Sequence, residues 1–315
     1  MSRLLFLVSP QTNPYWNVAV ENYLVAQQTQ DCIVLYLWKN RRTVVVGLNQ
    51  NPFAECNVDA LINDGGFVMR RTTGGGAVYH DDGNLNFSFV APYDLYDQSR
   101  QFDVICGALR EFGLQAELSG RNDLLCQGRK FSGNAFSKGR YQRLHHGTLL
   151  IKGNMDDLQR YLKVRPSKLL KHGVASVQSR VVNLSELADV TSDNIVAPLL
   201  RSFENVYGDK ATHISFDELM QKEEVRALYN KYSSDEWLFR NWRSFSATKS
   251  AQFEWGVVDL SLSVEDGIIS RVQIASDALD LAALDEARGL LCGADIKKRP
   301  PTESAIVGDI LSMVY

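Results

Sequence analysis

Arg70-Arg71-Thr72-Thr73-Gly74-Gly75-Gly76-Ala77-Val78-Tyr79-His80-Asp81-Asp82-Gly83-Asn84-Leu85 is the stretch on which the reading of this chain turns. It is entered from the apolar run Phe67 to Met69, and Ala77 to Tyr79 and Leu85 to Val90 read as the strands that follow. Glycine weakens a strand interior, and its usual purpose there is close backbone approach or positive φ. A run of bare N–H groups behind two arginines suits an anion such as a phosphate. The plainer alternative is a glycine-rich hairpin turn. No G-K-[ST] follows, and no helix follows a G-x-G-x-x-G, so the P-loop and Rossmann modes of nucleotide binding are disfavoured.

A second group of residues lies downstream: Arg121-Asn122-Asp123, then Gly128-Arg129-Lys130-Phe131-Ser132-Gly133, then His145-His146-Gly147-Thr148. A lysine on a short strand between glycines is a point charge that a ligand can approach closely. It can hold a carboxylate and a phosphate together and offset charge as they react. Taken alone, a solvated strand lysine is the commoner reading, since most lysines are solvated. His145 and His146 are neighbours on a strand, so at most one of them lines any given pocket. No third ligand at useful spacing and no H-E-x-x-H appears, which sets protein-held zinc aside. No G-x-S-x-G elbow marks a serine hydrolase. Cys126, four residues before Lys130, is the competing nucleophile, with a small buried apolar residue as its plainer reading.

Around these motifs the pattern is mixed α and β. Asn13-Pro14 opens a helix carrying Trp16, Val20 and Leu24 on one stripe and Tyr15, Ala19 and Tyr23 on the next. Ile33 to Trp38 and Val44 to Leu48, separated by Lys39 to Arg42, read as a buried β-hairpin. Phe102, Ile105, Cys106, Leu109 and Phe112 form a helical stripe that ends at Gly113. Ser215 and Glu218 have the spacing of a capping box. After a polar, weakly patterned stretch from Ser244 to Gln252, the spacing predicts a ββαα tail. Its hairpin turns at Asp266-Gly267, and its helices end near Gly293 and begin again at Thr302. The expected division is residues 1–246 and 247–315.

The 315 residues include 34 basic and 37 acidic side chains, a net charge of −3 that disfavours a general phosphate-backbone binder of nucleic acid. The apolar runs are far shorter than the roughly 20 residues a membrane-spanning helix needs. No signal-peptide pattern is seen, and five cysteines without close paired spacing fit a reducing compartment, so a cytoplasmic location is expected.

The R-R-x-x-G-G-G-A-V-x-H-D-x-G-N pattern of residues 70–84 resembles the signature of the lipoate–protein ligase A family. Arg129-Lys130-Phe131-Ser132-Gly133 resembles that family's lysine motif, and His145-His146-Gly147-Thr148-Leu149-Leu150 its H-H-G-T-L-L strand. Ser176-Val177-Gln178-Ser179-Arg180-Val181-Val182-Asn183-Leu184 is similar to a third segment. The resemblance implies an α+β catalytic domain of the biotin/lipoate ligase type, followed by a small α+β accessory domain. It implies ATP, Mg²⁺ and lipoate as reactants, with lipoyl-AMP formed first and the acyl group then passed to a carrier lysine. The carriers would be lipoyl domains of 2-oxoacid dehydrogenase E2 subunits or the glycine cleavage H protein, and octanoate is a second candidate acid.

Carried over by motif, Arg71 and the loop Gly74, Gly75, Gly76, Ala77, Val78 and Tyr79 would bind ATP and the adenylate. Lys130 would contact the acyl carboxylate and the phosphate. His80, Asn122, Asp123 and His146 would be pocket neighbours, Asp123 being the candidate carboxylate for Mg²⁺. Lys168 to Asn183 would close over the adenylate. Three other classes remain: a cysteine-thioester octanoyl or lipoyl transferase using Cys126, a biotin ligase, and a non-catalytic carrier-domain binder.

Overall fold

The computed structural model describes residues 3–28, 31–120, 122–163, 181–240 and 247–315. Its frame is an eight-stranded sheet in the order β11-β1-β2-β6-β10-β9-β8-β7. These strands are Ala211–His213, Arg3–Val8, Cys32–Lys39, Asn84–Pro92, Gln142–Leu150, Arg129–Lys138, Asp123–Cys126 and Ala116–Ser119, respectively. The continuous apolar run of β2 follows from helices covering both faces. Ile33, Leu35 and Leu37 point into one core with the Gln98–Arg110 and Val196–Tyr207 helices. Val34, Tyr36 and Trp38 point into the opposite core with the Pro14–Ala26 and Glu223–Ser233 helices. Asn13 caps the first of these helices by accepting from the Tyr15 N–H, with Pro14 following it as expected.

The expected hairpin of β2 with the next strand does not form. β3 (Thr43–Val46) instead joins a three-stranded sheet, parallel to β4 (Phe67–Arg70) and antiparallel to β5 (Val78–His80). The cause is a buried side chain on the first helix. The Asn17 amide donates to the carbonyl of Lys39 and to Asn40 Oδ1, at 2.8 and 3.0 Å. These bonds hold the linker against the first helix, and the chain leaves β2 without folding back on it.

The tail differs by one element. β12 (Ala247–Phe253) pairs with β13 (Gly256–Glu265), which pairs with β14 (Ile268–Ser276), so the unit is βββαα. β12 is an edge strand with mostly exposed residues, which is why its sequence lacks an apolar pattern. The Leu281–Leu291 and Ala305–Ser312 helices pack on this sheet, and the resulting core draws on residues from 251 onward.

Candidate active site

A cavity of about 290 Å³ lies between the small sheet and the β9–β10 part of the large one. Strand alternation decides which motif residues reach it. Val78 and His80 line it, whereas Tyr79 points to the opposite side, where it packs against Tyr161 and its hydroxyl donates to Asp157 at 3.2 Å. Tyr79 therefore stands apart from the cavity for which its motif nominated it. His146 and Gly147 line the cavity, and His145 lies buried among Phe87, Phe89, Phe102 and Phe136 on the other face of β10.

Lys130 reaches the cavity because of a β-bulge. Leu124 pairs with Ser132 but Leu125 pairs with Lys130, so Phe131 is an extra residue that turns into the core. The bulge places Lys130 on the same face as Gly133. A Cβ on residue 133 would lie 3.2 Å from Lys130 Nζ, so Gly133 keeps space for the ammonium. That ammonium pairs with Asp123 Oδ1 at 2.8 Å, each side chain being about one-third exposed, at 39% and 34%. Asn122 lines the cavity beside them.

The two arginines are held differently. Arg70 is fully buried and donates to the carbonyls of Gly47, Leu48, Gln50, Trp237 and Leu238. Burial, and then the neighbouring charge of Arg240, pushes its pKa down to about 9. Arg71 lines the cavity, yet its Nη2 donates to the carbonyls of Gly74 and Gly76, both at 2.8 Å. It shapes the glycine loop from within. Burial brings its pKa down to about 10, against the attraction of Glu21.

The three glycines also differ from one another. Gly74 has a packing reason that the sequence conceals, because a Cβ there would strike the carbonyl of Ala278 from the tail. Gly75 sits at φ +96°, and its N–H donates to that same carbonyl at 3.3 Å. Gly75, Gly76 and Ala77 line the cavity, while Gly74 and Asp123 are outside its lining.

Glu21, a residue the sequence reading passed over, also lines the cavity and anchors a buried chain of hydrogen bonds. Trp38 Nε1 donates to Ser88 Oγ at 3.0 Å, and Ser88 donates to Glu21 Oε1 at 2.6 Å. Glu21 Oε1 meets His146 Nδ1 at 2.9 Å, and His146 Nε2 meets Thr73 Oγ1 at 2.9 Å. Thr73 Oγ1 accepts from Arg71 Nε at 3.1 Å. The His146 ring thus bridges Glu21 on the first helix and Thr73 beside the glycine loop, one nitrogen to each. The available signal was an acid four residues after Asn17 and three before Leu24, on the buried face of a helix.

No group of three His, Cys, Asp or Glu able to hold a metal occurs among the described residues. With Asp123 engaged by Lys130, the fit to Mg²⁺ is limited to one carboxylate contact with a cation carried by the triphosphate. Cys126 alternates with Asp123 and Leu125, so it points into the core and away from the cavity. Burial raises the pKa of its thiol. Arg121 and residues 168–180, nominated from the sequence, lie outside the described residues. At the far end of that segment, the Val182 N–H donates to the carbonyl of Lys130 at 2.9 Å.

Known proteins give the same class as this geometry. The family model for the lipoyl protein ligase A/B catalytic domain matches residues 13–204, and that for the bacterial lipoate protein ligase C-terminus matches residues 243–300. The chain thus carries a lipoyl protein ligase catalytic domain followed by the C-terminal module of bacterial lipoate protein ligases. The lipoate-protein ligase A of Psychrobacter cryohalolentis is 38% identical over 303 residues, 94% of this chain and 89% of its own. The chain belongs to the lipoate–protein ligase A family.

Among solved structures, P. falciparum LipL1 in complex with lipoate superposes with a TM-score of 0.82 at 29% identity, covering 98% of both chains. A bipartite lipoate protein ligase of Thermoplasma acidophilum, studied with its E2 lipoyl domain, gives 0.65 at 29% identity over 78% of this chain and 99% of its own. A lipoate-protein ligase A bound with ATP gives 0.63 at 29% identity over 76% of this chain and 98% of its own. Among the described residues no helix is long and apolar enough to cross a membrane.

Proposed function

We propose that this chain is an ATP-dependent lipoate–protein ligase that works through lipoyl-AMP. A lipoate carboxylate oxygen attacks the α-phosphorus of ATP, forming the acyl-phosphate bond as pyrophosphate leaves with the electron pair of the broken P–O bond. A carrier-domain lysine amine then attacks the acyl carbon, and AMP leaves. The carriers are lipoyl domains of E2 subunits or the glycine cleavage H protein. Residues 1–246 form the catalytic unit and 247–315 the accessory one.

The supporting observation is that one cavity is lined by both Lys130 and the Gly75–Val78 loop, with no cysteine on it. Such a reaction needs no enzyme nucleophile, only donors where charge develops and walls that exclude water. In this reading Lys130 exchanges Asp123 for the lipoate carboxylate and the α-phosphate. Arg71 acts through the loop it shapes, and the loop's backbone faces the nucleotide. Val45, Met69, Ala77 and Val78 supply apolar surface for the acyl chain. Mg²⁺ carried by the triphosphate would supply charge neutralisation, with Asp123 as its one carboxylate contact.

The test is ATP–pyrophosphate exchange with lipoate, octanoate and biotin offered separately. Exchange with lipoate, alone or with octanoate, is expected. Exchange with none of the three would overturn the reading.

A further inference from the structure

His145 belongs to the H-H-G run but lies on the face of β10 away from the cavity. It is fully buried, and burial followed by the neighbouring His146 pushes its pKa down to about 3, so the imidazole is neutral near pH 7. Its two nitrogens face Gln101 Oε1 and Asn134 Oδ1, both at 3.0 Å. A neutral ring has one N–H, so it can donate to only one of two oxygens.

Asn134 settles which. Its Nδ2 donates to the carbonyl of Asn122 at 3.0 Å and to Ser132 Oγ at 3.3 Å, which leaves Oδ1 as the acceptor facing His145. The proton therefore sits on His145 Nε2, and Nδ1 is an acceptor. Turning the Gln101 amide by half a turn gives its Nε2 to that acceptor. Gln101 Nε2 otherwise lacks a partner.

Gly147 completes the arrangement. A Cβ at residue 147 would collide with Asn134 Oδ1 and with the ring of Phe87, so only glycine leaves space for this amide. Asn134 in turn clasps Asn122 three times: through its side-chain amide, through its own N–H to the Asn122 carbonyl at 2.8 Å, and by accepting from Asn122 Nδ2 at 3.1 Å. Asn122 lines the cavity and precedes Asp123, the partner of Lys130.

We infer that His145 is a positioning residue for the acyl-activating reaction. It acts through Asn134 to fix the Asn122–Asp123 end of β8 against Lys130, while His146 serves the cavity side. The inference rests on the ligase reading above. The three residues of the H-H-G run then have separate tasks, with His146 in the cavity chain, His145 holding the Asn134 amide and Gly147 making space for it.

The experiment is a double-mutant cycle read by lipoate-dependent ATP–pyrophosphate exchange, with rates expressed per folded molecule. His145→Phe suits the surrounding rings but leaves Asn134 Oδ1 without a donor. It should lower kcat about tenfold, the scale of one buried hydrogen bond lost, with KM for lipoate and ATP within about twofold. His145→Gln, which can still donate to Oδ1, should restore most of the rate. In an Asn134→Ala background, His145→Phe should cost less than a further factor of about two.

If the two substitutions multiply, or if His145→Phe lowers the melting temperature while kcat per folded molecule holds, the inference is overturned and the ligase reading survives. If wild-type protein shows no exchange with lipoate, both fall together.

Discussion

Arg71, buried among carbonyls of its own loop, and Lys130, 39% exposed beside Asp123, line the same cavity but are held in opposite ways. The guanidinium donates to Thr73, Gly74, Gly76 and Val45, so removing it would strand several buried acceptors. The ammonium has one carboxylate partner, about one-third exposed, and an ion pair of that kind contributes only about 0–1 kcal/mol. The buried cation fixes backbone geometry before any ligand arrives. The partly exposed one can change partner at little cost, which is what the contacts proposed for it with a carboxylate and a phosphate would require. One wall is therefore a template and the other a mobile charge.

The strongest attack on this contrast is at the template. Gly75→Val puts a branched side chain at φ +96°, with its Cβ 2.9 Å from Arg71 Nη2. The variant should stay folded yet show no ATP binding by calorimetry. Normal binding would mean that the loop is only a structural turn.

Next comes the mobile charge. Lys130→Ala should slow lipoate adenylation about 10²–10³-fold, the scale for losing one preorganised donor, with little change in melting temperature. Lys130→Arg should recover little, since a planar fork does not replace a compact ammonium in the space Gly133 leaves. A near-normal rate for the alanine variant would remove Lys130 from the chemistry.

A smaller effect separates the interior from the mobile wall by pH. His80 and His145 are both buried with pKa values near 3, caused chiefly by burial. Unfolded histidines titrate near 6.5, so between about 6.5 and 3 the unfolded chain binds more protons and stability falls as pH falls. Each histidine adds a slope of up to ~1.4 kcal/mol per pH unit in that window. Urea unfolding at several pH values should show this loss. Lys130→Ala should leave the slope unchanged and His145→Gln should reduce it. An unchanged slope in the histidine variant would contradict the buried, neutral assignment.

What could be read from the chain follows the same division. Strand alternation alone separates His145 from His146, and local spacing finds the first helix and the glycine stretch. Assigning Lys130 needed the family resemblance, because its orientation depends on a bulge at Phe131 that no spacing rule announces. Gly74 looked like a ligand glycine because Ala278, some 200 residues away in sequence, supplies the contact that explains it. The β2–β3 hairpin failed for a similar reason, since the deciding atom belongs to Asn17 on a different element. Glu21 lies on a helix whose apolar stripes drew the reading away from its one buried acid.

The smallest expected effect is at Cys126, and its smallness is the point. If acyl transfer runs through an adenylate, no thiolate is needed, and Cys126 is a packing residue of the core behind β8. Cys126→Ser is nearly isosteric but buries a hydroxyl among Leu124, Phe131 and their neighbours, so a modest loss of melting temperature is expected. ATP-dependent transfer of lipoate to a lipoyl domain should stay near the wild-type rate per folded molecule. A thioester route requires the reverse, because a serine hydroxyl is a far weaker nucleophile near neutral pH than a thiol with some thiolate character. The structure argues against that character, since burial raises the pKa of this thiol and its side chain faces away from the cavity. Transfer assays with and without ATP, beside mass spectrometry of wild-type protein incubated with acyl donor, decide between the routes. An acyl adduct on Cys126 together with an inactive serine variant would move the chemistry out of the cavity, and Lys130 and Arg71 would lose the roles that their contrast assigns them.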